Sequence, residues 1–282
     1  MSLGRQWIEG FSRLDGTDLL SFARLEHEWS SSQELIVPIR SVVGASYGIN
    51  VLGGGPAMKR PGQERGRFLL GGSAVETVDQ EEQSLKRALR QYGIGRLWKV
   101  MGRIGDEDPV RRWARAQAVS MPSMNLTVTD RQFIGVVVDF VRLSDWHAED
   151  ITTASLGVGT NTATLEVVNT GDANAGEVIV EVESLAVGGF QNIEIRNATT
   201  AESIAVAMTA GAGDILRIDP QRAAIEVSTD GGTTWASAFE GVTLGSTQTG
   251  LLTIVPGSNF LEISSAGSPD MQVDVRFYAA YE

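Results

Sequence analysis

Glu177 to Val187 reads E-V-I-V-E-V-E-S-L-A-V, and it decides the fold of the second half of the chain. Val178, Val180 and Val182 fall on one side of an extended backbone, Ile179, Glu181 and Glu183 on the other, the period of two that marks a strand with one buried face. Segments of the same kind recur around it. Ala163–Asn169, Asn192–Asn197, Glu202–Met208, Ile215–Asp219, Ala224–Thr229, Thr234–Phe239, Leu251–Val255, Asn259–Ser264 and Met271–Ala280 are short, rich in Val and Ile, and separated by turn residues. Regular short strands at this spacing predict an antiparallel β-sandwich or barrel.

Upstream the pattern is also mostly β, with one helix. From Thr77 to Gly93, Leu85, Ala88, Leu89 and Tyr92 recur at helical spacing, and Thr77 with Gln80, or Asp79 with Glu82, suits a capping box. Acidic residues open this stretch, Lys86, Arg87 and Arg90 close it, and Gly93 suits the left-handed stop. Strands are expected at Leu35–Val43, Arg67–Leu70, Leu97–Met101, Ala114–Val119 and Gln132–Leu143, with an irregular Gly/Pro-rich loop from Val51 to Arg67. The last of these strands is apolar on both faces, so it is central or roofed by the helix.

The 282 residues carry a net charge of −12, unevenly spread. Residues 1–146 hold 19 Lys and Arg against 17 Asp and Glu, whereas residues 147–282 hold 4 against 18. This shift predicts two domains, 1–150 and 151–282. The acidic half repels nucleic acid and anionic membrane. Cysteine is absent and histidine is limited to His27 and His147. Thiolate and imidazole metal sites, and Ser/Cys/His nucleophile systems, therefore have almost nothing to be built from. No catalytic residue, cofactor or metal ligand is expected, and Asp106-Glu107-Asp108 reads as a solvated turn. Charges in the first twenty residues leave no room for a signal-peptide core, and the most apolar stretch, Phe133–Val141, is too short for a membrane span.

Three features invite a functional reading. Glycine stretches such as Gly53-Gly54-Gly55 lack phosphate-loop spacing and read as loop. Arg/Trp-rich strands in the first half supply candidate inter-subunit anchors, namely Arg87, Arg90, Tyr92, Arg96, Trp98, Arg111, Arg112 and Trp113, because arginine and tryptophan concentrate at protein interfaces. Ser228 to Trp235, S-T-D-G-G-T-T-W, fits the Asp-box pattern of sialidases and other β-propellers. Asp230-Gly231-Gly232 is first of all a hairpin turn. Under a carbohydrate-binding alternative, Asp230, Trp235 and Tyr278 are the candidate sugar contacts, and a glycoside hydrolase using two of the many carboxylates is a further alternative. His147 beside Trp146 reads as a packing residue.

A succession of short motifs goes further. I-L-R-I-D-P at Ile215–Pro220 follows Gly213-Asp214; then come A-I-E-V at Ala224–Val227, the D-G-G turn, I-V-P-G-S-N-F-L-E-I at Ile254–Ile263, and the ending V-D-V-R-F-Y-A-A-Y-E. With N-T-G-D-A-N-A at Asn169–Ala175 and T-T-A-E-S-I at Thr199–Ile204, this order resembles the distal tail protein family of long-tailed, siphovirus-type bacteriophages. The resemblance covers residues 163–282 closely and the first half in layout, while residues 1–34 match no element of it. It implies a mainly β chain: an N-terminal tail-tube-like β-barrel or sandwich with one α-helix, then a galectin-like antiparallel β-sandwich. It also implies a non-enzymatic virion protein assembled in the host cytoplasm, closing into a hexameric ring at the tail tip. That ring joins the tail tube protein to the tail-tip hub protein and supports receptor-binding proteins. DNA is only passing cargo in its channel, and no membrane is entered.

Overall fold

The computed structural model describes residues 5–21, 62–71, 75–102, 110–120, 133–186, 189–245, 251–267 and 270–281. Their contacts divide into two compact units, one within residues 5–149 and one within 150–281. All strand pairs described below are antiparallel. The expected strand Leu35–Val43, the Gly53–Gly55 loop and the Asp106–Asp108 turn lie outside the described residues.

In the first unit β1 (Arg5–Ser12) lies between β2 (Leu20–Ser21) and β4 (Ile94–Gly102). Strand β3 (Gly62–Gly71) leads to α1 (Val75–Tyr92), and β4 pairs with β5 (Val110–Ser120). Strand β5 then forks: its later half pairs with β6 (Phe133–Arg142), and Arg112 and Trp113 pair with the start of β7 (Trp146–Val158). Strand β6 sits between β3 and β5, the central position its two apolar faces require. Val138, Phe140 and Val141 are buried on both sides of it.

Two expectations are corrected here, and the choice between barrel and sandwich for this unit is narrowed. Gly62–Arg67, read as loop, is the first part of β3, because pairing along all ten residues with β6 outweighs its poor strand composition. The helix starts by Val75, ahead of Thr77, so neither proposed capping pair sits at its N-terminus. Its other end is as read, with Gly93 at φ 57° stopping it after Tyr92. Among the described residues the strands of this unit do not close into a barrel, since β2 and β3, the two ends of the row, do not pair and β2 offers only two residues.

The second unit is a two-sheet sandwich. One sheet orders β14 (Ala236–Ser237), β13 (Ala224–Ser228), β12 (Ile215–Asp219), β9 (Ile179–Ser184), β17 (Met271–Tyr281) and the later part of β7. The other orders β15 (Val242–Leu244), β11 (Glu202–Thr209), β10 (Phe190–Asn197), β16 (Gly257–Gly267) and β8 (Thr162–Asn169). Alternate residues meet between the sheets. Val180 and Val182 of β9, Leu216 and Ile218 of β12, Val273, Val275 and Phe277 of β17, and Leu261 and Ile263 of β16 are all buried in one core. Each such side chain contributes about 1.5–3 kcal/mol on leaving water. Phe190 and Ile193 both enter this core although they are three positions apart, an odd spacing. Against β16, a bulge between Gln191 and Glu194, with Asn192 in left-handed conformation at φ 51°, inserts the extra residue that resets the phase.

The segment Leu251–Val255 is not the ladder strand its composition suggests. Leu252 and Ile254 are buried, but among the described residues the only pairing is an isolated bridge between Ile254 and Ala175. Three buried asparagines take the place of a neighbouring strand. Asn169 Nδ2 donates to the carbonyls of Ala173 and Ile254, and Asn197 Nδ2 to that of Thr253. Asn259 accepts from Val255 N–H and donates to the carbonyls of Val255 and Gly257. Gly171, held by Asn169 Oδ1, lies so close to β17 that a Cβ would stand 1.9 Å from the Ala280 carbonyl oxygen. Only glycine fits that approach.

Candidate functional site

Cross-strand register in β4, β5 and β7 places Trp98 opposite Trp113 and Trp113 opposite His147, on one face of the first unit. Arginines stack on this row: Arg111 lies 4.9 Å from the Trp98 ring centre and Arg96 4.1 Å from that of Trp113. Trp98 Nε1 donates to Ser12 Oγ at 2.9 Å, and Arg111 donates to Glu9 at 2.7 and 2.9 Å and to Glu149 at 2.5 Å. The paired carboxylates raise the Arg111 pKa against the opposing effect of burial. Trp113 is 1% exposed and Trp98 7%, so both anchors proposed from sequence are packed inside the unit. His147 does pack as expected, its ring centre 4.5 Å from that of Trp113. Burial, with the charges of Arg115 and Arg96, pushes its pKa down to about 3.

A second aromatic–cation group escaped the sequence reading. Lys99 and Arg142 lie 4.6 and 5.3 Å from the Trp146 ring centre, and Glu64 approaches Arg142 at 3.8 Å. Burial raises the Glu64 pKa against the pull of Arg142 and Lys99, and burial lowers that of Lys99. The signal available in sequence was the alternation in R-L-W-K-V, which puts Trp98 and Lys99 on opposite faces; the partners Glu64 and Arg142 are remote in the chain. Arg112 pairs in register with Lys99.

Helix α1 separates the remaining candidates. Leu85 and Leu89 face inward, while Arg87 and Arg90 are exposed beside a shallow depression that Gln83, Lys86 and Gln91 complete. Tyr92 is half-buried, donating to the Asp18 carbonyl at 3.0 Å with Arg13 over its ring at 5.5 Å. Lys86 pairs with the buried Glu82 at 2.5 Å.

In the second unit the Asp-box residues form a self-contained turn. Asp230 Oδ1 accepts from Ser228 Oγ (2.7 Å) and from the amides of Thr233 and Thr234 (3.0 and 2.8 Å), and its Oδ2 accepts from Thr234 Oγ1 (2.7 Å). These bonds hold its pKa down at about 2. Gly231 and Gly232 supply the positive φ of the turn, at 67° and 90°. Trp235 Nε1 donates to the Gly232 carbonyl at 3.1 Å, and the Arg217 guanidinium covers its ring at 3.8 Å. Arg217 in turn pairs with Glu181 at 2.6 Å, and Glu181 with Arg276. One ring face and the N–H of Trp235 are thus already used. Tyr278 points away from the core on β17, three strands from β13, roughly 14 Å at the usual strand spacing. The three sugar-contact candidates do not converge on one spot.

Asp230→Ala is expected to open this turn and shift the emission of Trp235, the one tryptophan of residues 147–282. In the wild type the turn's contribution is complete above the ordinary aspartate pKa near 3.8 and disappears as pH falls through about 2. A fluorescence titration from pH 5 to pH 1.5 checks both: wild type changes in that window, and the variant starts in the changed state.

Among the described residues no group of His, Asp or Glu is placed to hold a metal ion, and no helix is long and apolar enough to cross a membrane. No protein-family model and no curated protein matches the chain. Among solved structures it is similar to a chain of the phage P2 baseplate in its activated conformation with calcium, at 8% identity and a TM-score of 0.47, covering 96% of this chain and 98% of that one. With the strontium form of the same baseplate the figures are 9%, 0.48, 97% and 98%. A chain of infectious bursal disease virus, Gx strain, is similar at 12% identity and a TM-score of 0.23, over 80% of this chain and 54% of that one. These are loose likenesses, and they concern the fold alone.

Proposed function

We propose that this chain is a structural protein of a bacteriophage tail tip, of the distal tail type. Six copies close into a ring around the DNA channel. Residues 1–150 form the ring and residues 151–282 supply a galectin-like sandwich. The ring joins the tail tube protein to the tail-tip hub and gives receptor-binding proteins a platform, without catalysis, in a virion assembled in the host cytoplasm.

One observation carries this reading: the motif succession that resembles that family falls on consecutive structural devices of an antiparallel sandwich. Gly213, at φ 81°, and Asp214, whose carboxylate accepts from Gly211 N–H, form the turn into β12. Pro256 stands at the corner into β16, which Asn259 braces from within the strand, and V-D-V-R-F-Y lies in the interior strand β17. Asn169–Ala175 and Thr199–Ile204 hold that corner and its neighbour, Thr199 Oγ1 accepting from Phe260 N–H. Motifs spread over 100 residues thus serve one architecture, as family-wide structural residues do.

Light scattering across concentration, with negative-stain imaging of the same sample, tests the proposal. Rings of six copies, or of twelve in two stacked layers, with an open centre are expected. A compact monomer at every concentration overturns it.

A further inference from the structure

The outward stripe of α1 consists of Gln80, Gln83, Ser84, Arg87, Arg90 and Gln91, all exposed and all on one side at helical spacing. It contains no carboxylate. Glu82 turns inward to Lys86, and among the described residues no acid pairs with Arg87 or Arg90. Two arginines three residues apart, flanked by amides, present a row of donors suited to carboxylates.

A matching acidic surface lies at one end of the sandwich. Ser184 N–H donates to the Asp214 carbonyl at 2.9 Å and Leu185 N–H to the Asp270 carbonyl at 2.7 Å, which brings these two aspartates to either side of the end of β9. Glu183 and Asp270 are exposed there, around a Leu185 side chain that is 51% exposed. An apolar residue rimmed by charge has the anatomy of a contact patch. The second half cannot neutralise it from its own supply. Its four basic residues, Arg196, Arg217, Arg222 and Arg276, are paired elsewhere, with Glu262, Glu181, Glu226 and Glu181 respectively.

We propose that the Arg87/Arg90 face of α1 docks on the Glu183/Leu185/Asp270 end of the sandwich of a second copy of this chain. The proposal rests on the ring reading above and adds to the contacts between residues 1–150 of neighbouring copies a second one, from α1 to the neighbour's sandwich. Both faces are solvent-exposed on the single chain, and two different complementary patches on one chain produce the head-to-tail contact that a ring needs. A net charge of −12 turns the same arginines away from nucleic acid, whose phosphates the rest of the chain repels.

Charge reversal tests the contact. Wild type, R87E/R90E, E183K/D270K and the quadruple variant are compared by sedimentation velocity across concentration, at low and at high salt. All four positions are exposed, so the folds should hold, and circular dichroism with thermal melting confirms it. Each double variant is expected to dissociate about tenfold more readily than wild type. The quadruple variant, with both signs exchanged, regains association, and wild-type association weakens with salt. R87E/R90E assembling like wild type overturns the contact while leaving the ring intact, and so does a quadruple variant that stays weak. A wild type that is monomeric throughout overturns the ring and the contact together. Double-stranded DNA binding by wild type, lost in R87E/R90E while self-association is unchanged, would reassign the face to nucleic acid.

Discussion

Asn259→Leu is expected to destabilise the protein by about 4 kcal/mol, the combined cost of several buried polar groups left without partners. Leucine has the same branching and number of side-chain heavy atoms as asparagine, and although its methyl groups are bulkier and add some overpacking, the larger part of the loss is not one of size. It comes from what Asn259 does in a fully buried place. Its Oδ1 accepts from Val255 N–H at 3.0 Å and from Asn197 Nδ2 at 3.2 Å, and its Nδ2 donates to the carbonyls of Val255 (2.8 Å) and Gly257 (3.0 Å). Both amide atoms are therefore used twice, and a leucine returns nothing to any of the four partners. The damage spreads because Leu251–Val255 has no neighbouring strand to hold it. Thr253 is fastened by the Glu202 carboxylate and the Asn197 amide, and Ile254 by Ala175 and the Asn169 amide. With one clamp gone, Leu252 and Ile254 lose their grip on the core they fill. Urea denaturation followed by far-ultraviolet circular dichroism measures the change. A loss below about 1 kcal/mol would mean that water replaces the lost partners and that the corner is wetter than its burial indicates.

The same corner shows where sequence reading stops. Strands with alternating pattern, such as Val178–Val182 or Ile215–Asp219, were legible because one buried face imposes a period of two on the residues themselves. Leu251–Val255 shows the same alternation, yet apart from the bonds between Val255 and Asn259 its hydrogen bonds go to groups 50 and more residues away in the chain, which no local pattern records. Gly62–Arg67 failed in the opposite sense: its strand state is imposed by β6, not by its own composition. The junction near Trp146 was visible as a change of charge, but not that a single strand, β7, runs through it.

Among site residues the types were legible and their use was not. Arg96, Trp98, Arg111 and Trp113 have the composition of an interface, and they form one within the unit, each ring covered by a neighbouring cation. Cross-strand register decided this, since Trp98 and Trp113 are 15 positions apart and meet only because β4 and β5 pair as they do. Arg87 and Arg90 differ because a helix whose inward stripe is complete with Leu85 and Leu89 leaves them exposed, with no acidic partner among the described residues. The Asp-box was legible as a turn, and Asp230 spends its carboxylate there. Trp235 carries an arginine on its ring, an arrangement that stiffens the sheet face as readily as it would bind a ligand.

Lowering the pH from 7 to 5 is expected to cost about 2 kcal/mol of stability through His147 alone. The imidazole is 5% exposed and stacked on Trp113, with Arg96 over the same indole and Arg115 nearby. A proton there would place another positive charge among two guanidinium groups with little water to screen them, so the folded state resists protonation down to about pH 3. The unfolded chain takes the proton near 6.5. At pH 7 the ring is neutral in both states and the contribution is intact. Below 6.5 the unfolded state binds a proton that the folded state refuses, and stability falls by about 1.4 kcal/mol per pH unit until the folded pKa is reached. His147→Phe keeps an aromatic ring against Trp113 and removes the titrating group. Urea denaturation of both proteins at pH 7 and pH 5 isolates the effect from that of the many carboxylates, which the two share. The wild type should lose about 2 kcal/mol more than the variant over this interval. Equal losses would mean that the folded protein admits the proton, by opening the Trp98–Trp113–His147 row or by moving the arginines aside. The neutral imidazole is thus the condition on which the charges of Arg115 and Arg96 are tolerated around a buried His147 in this face.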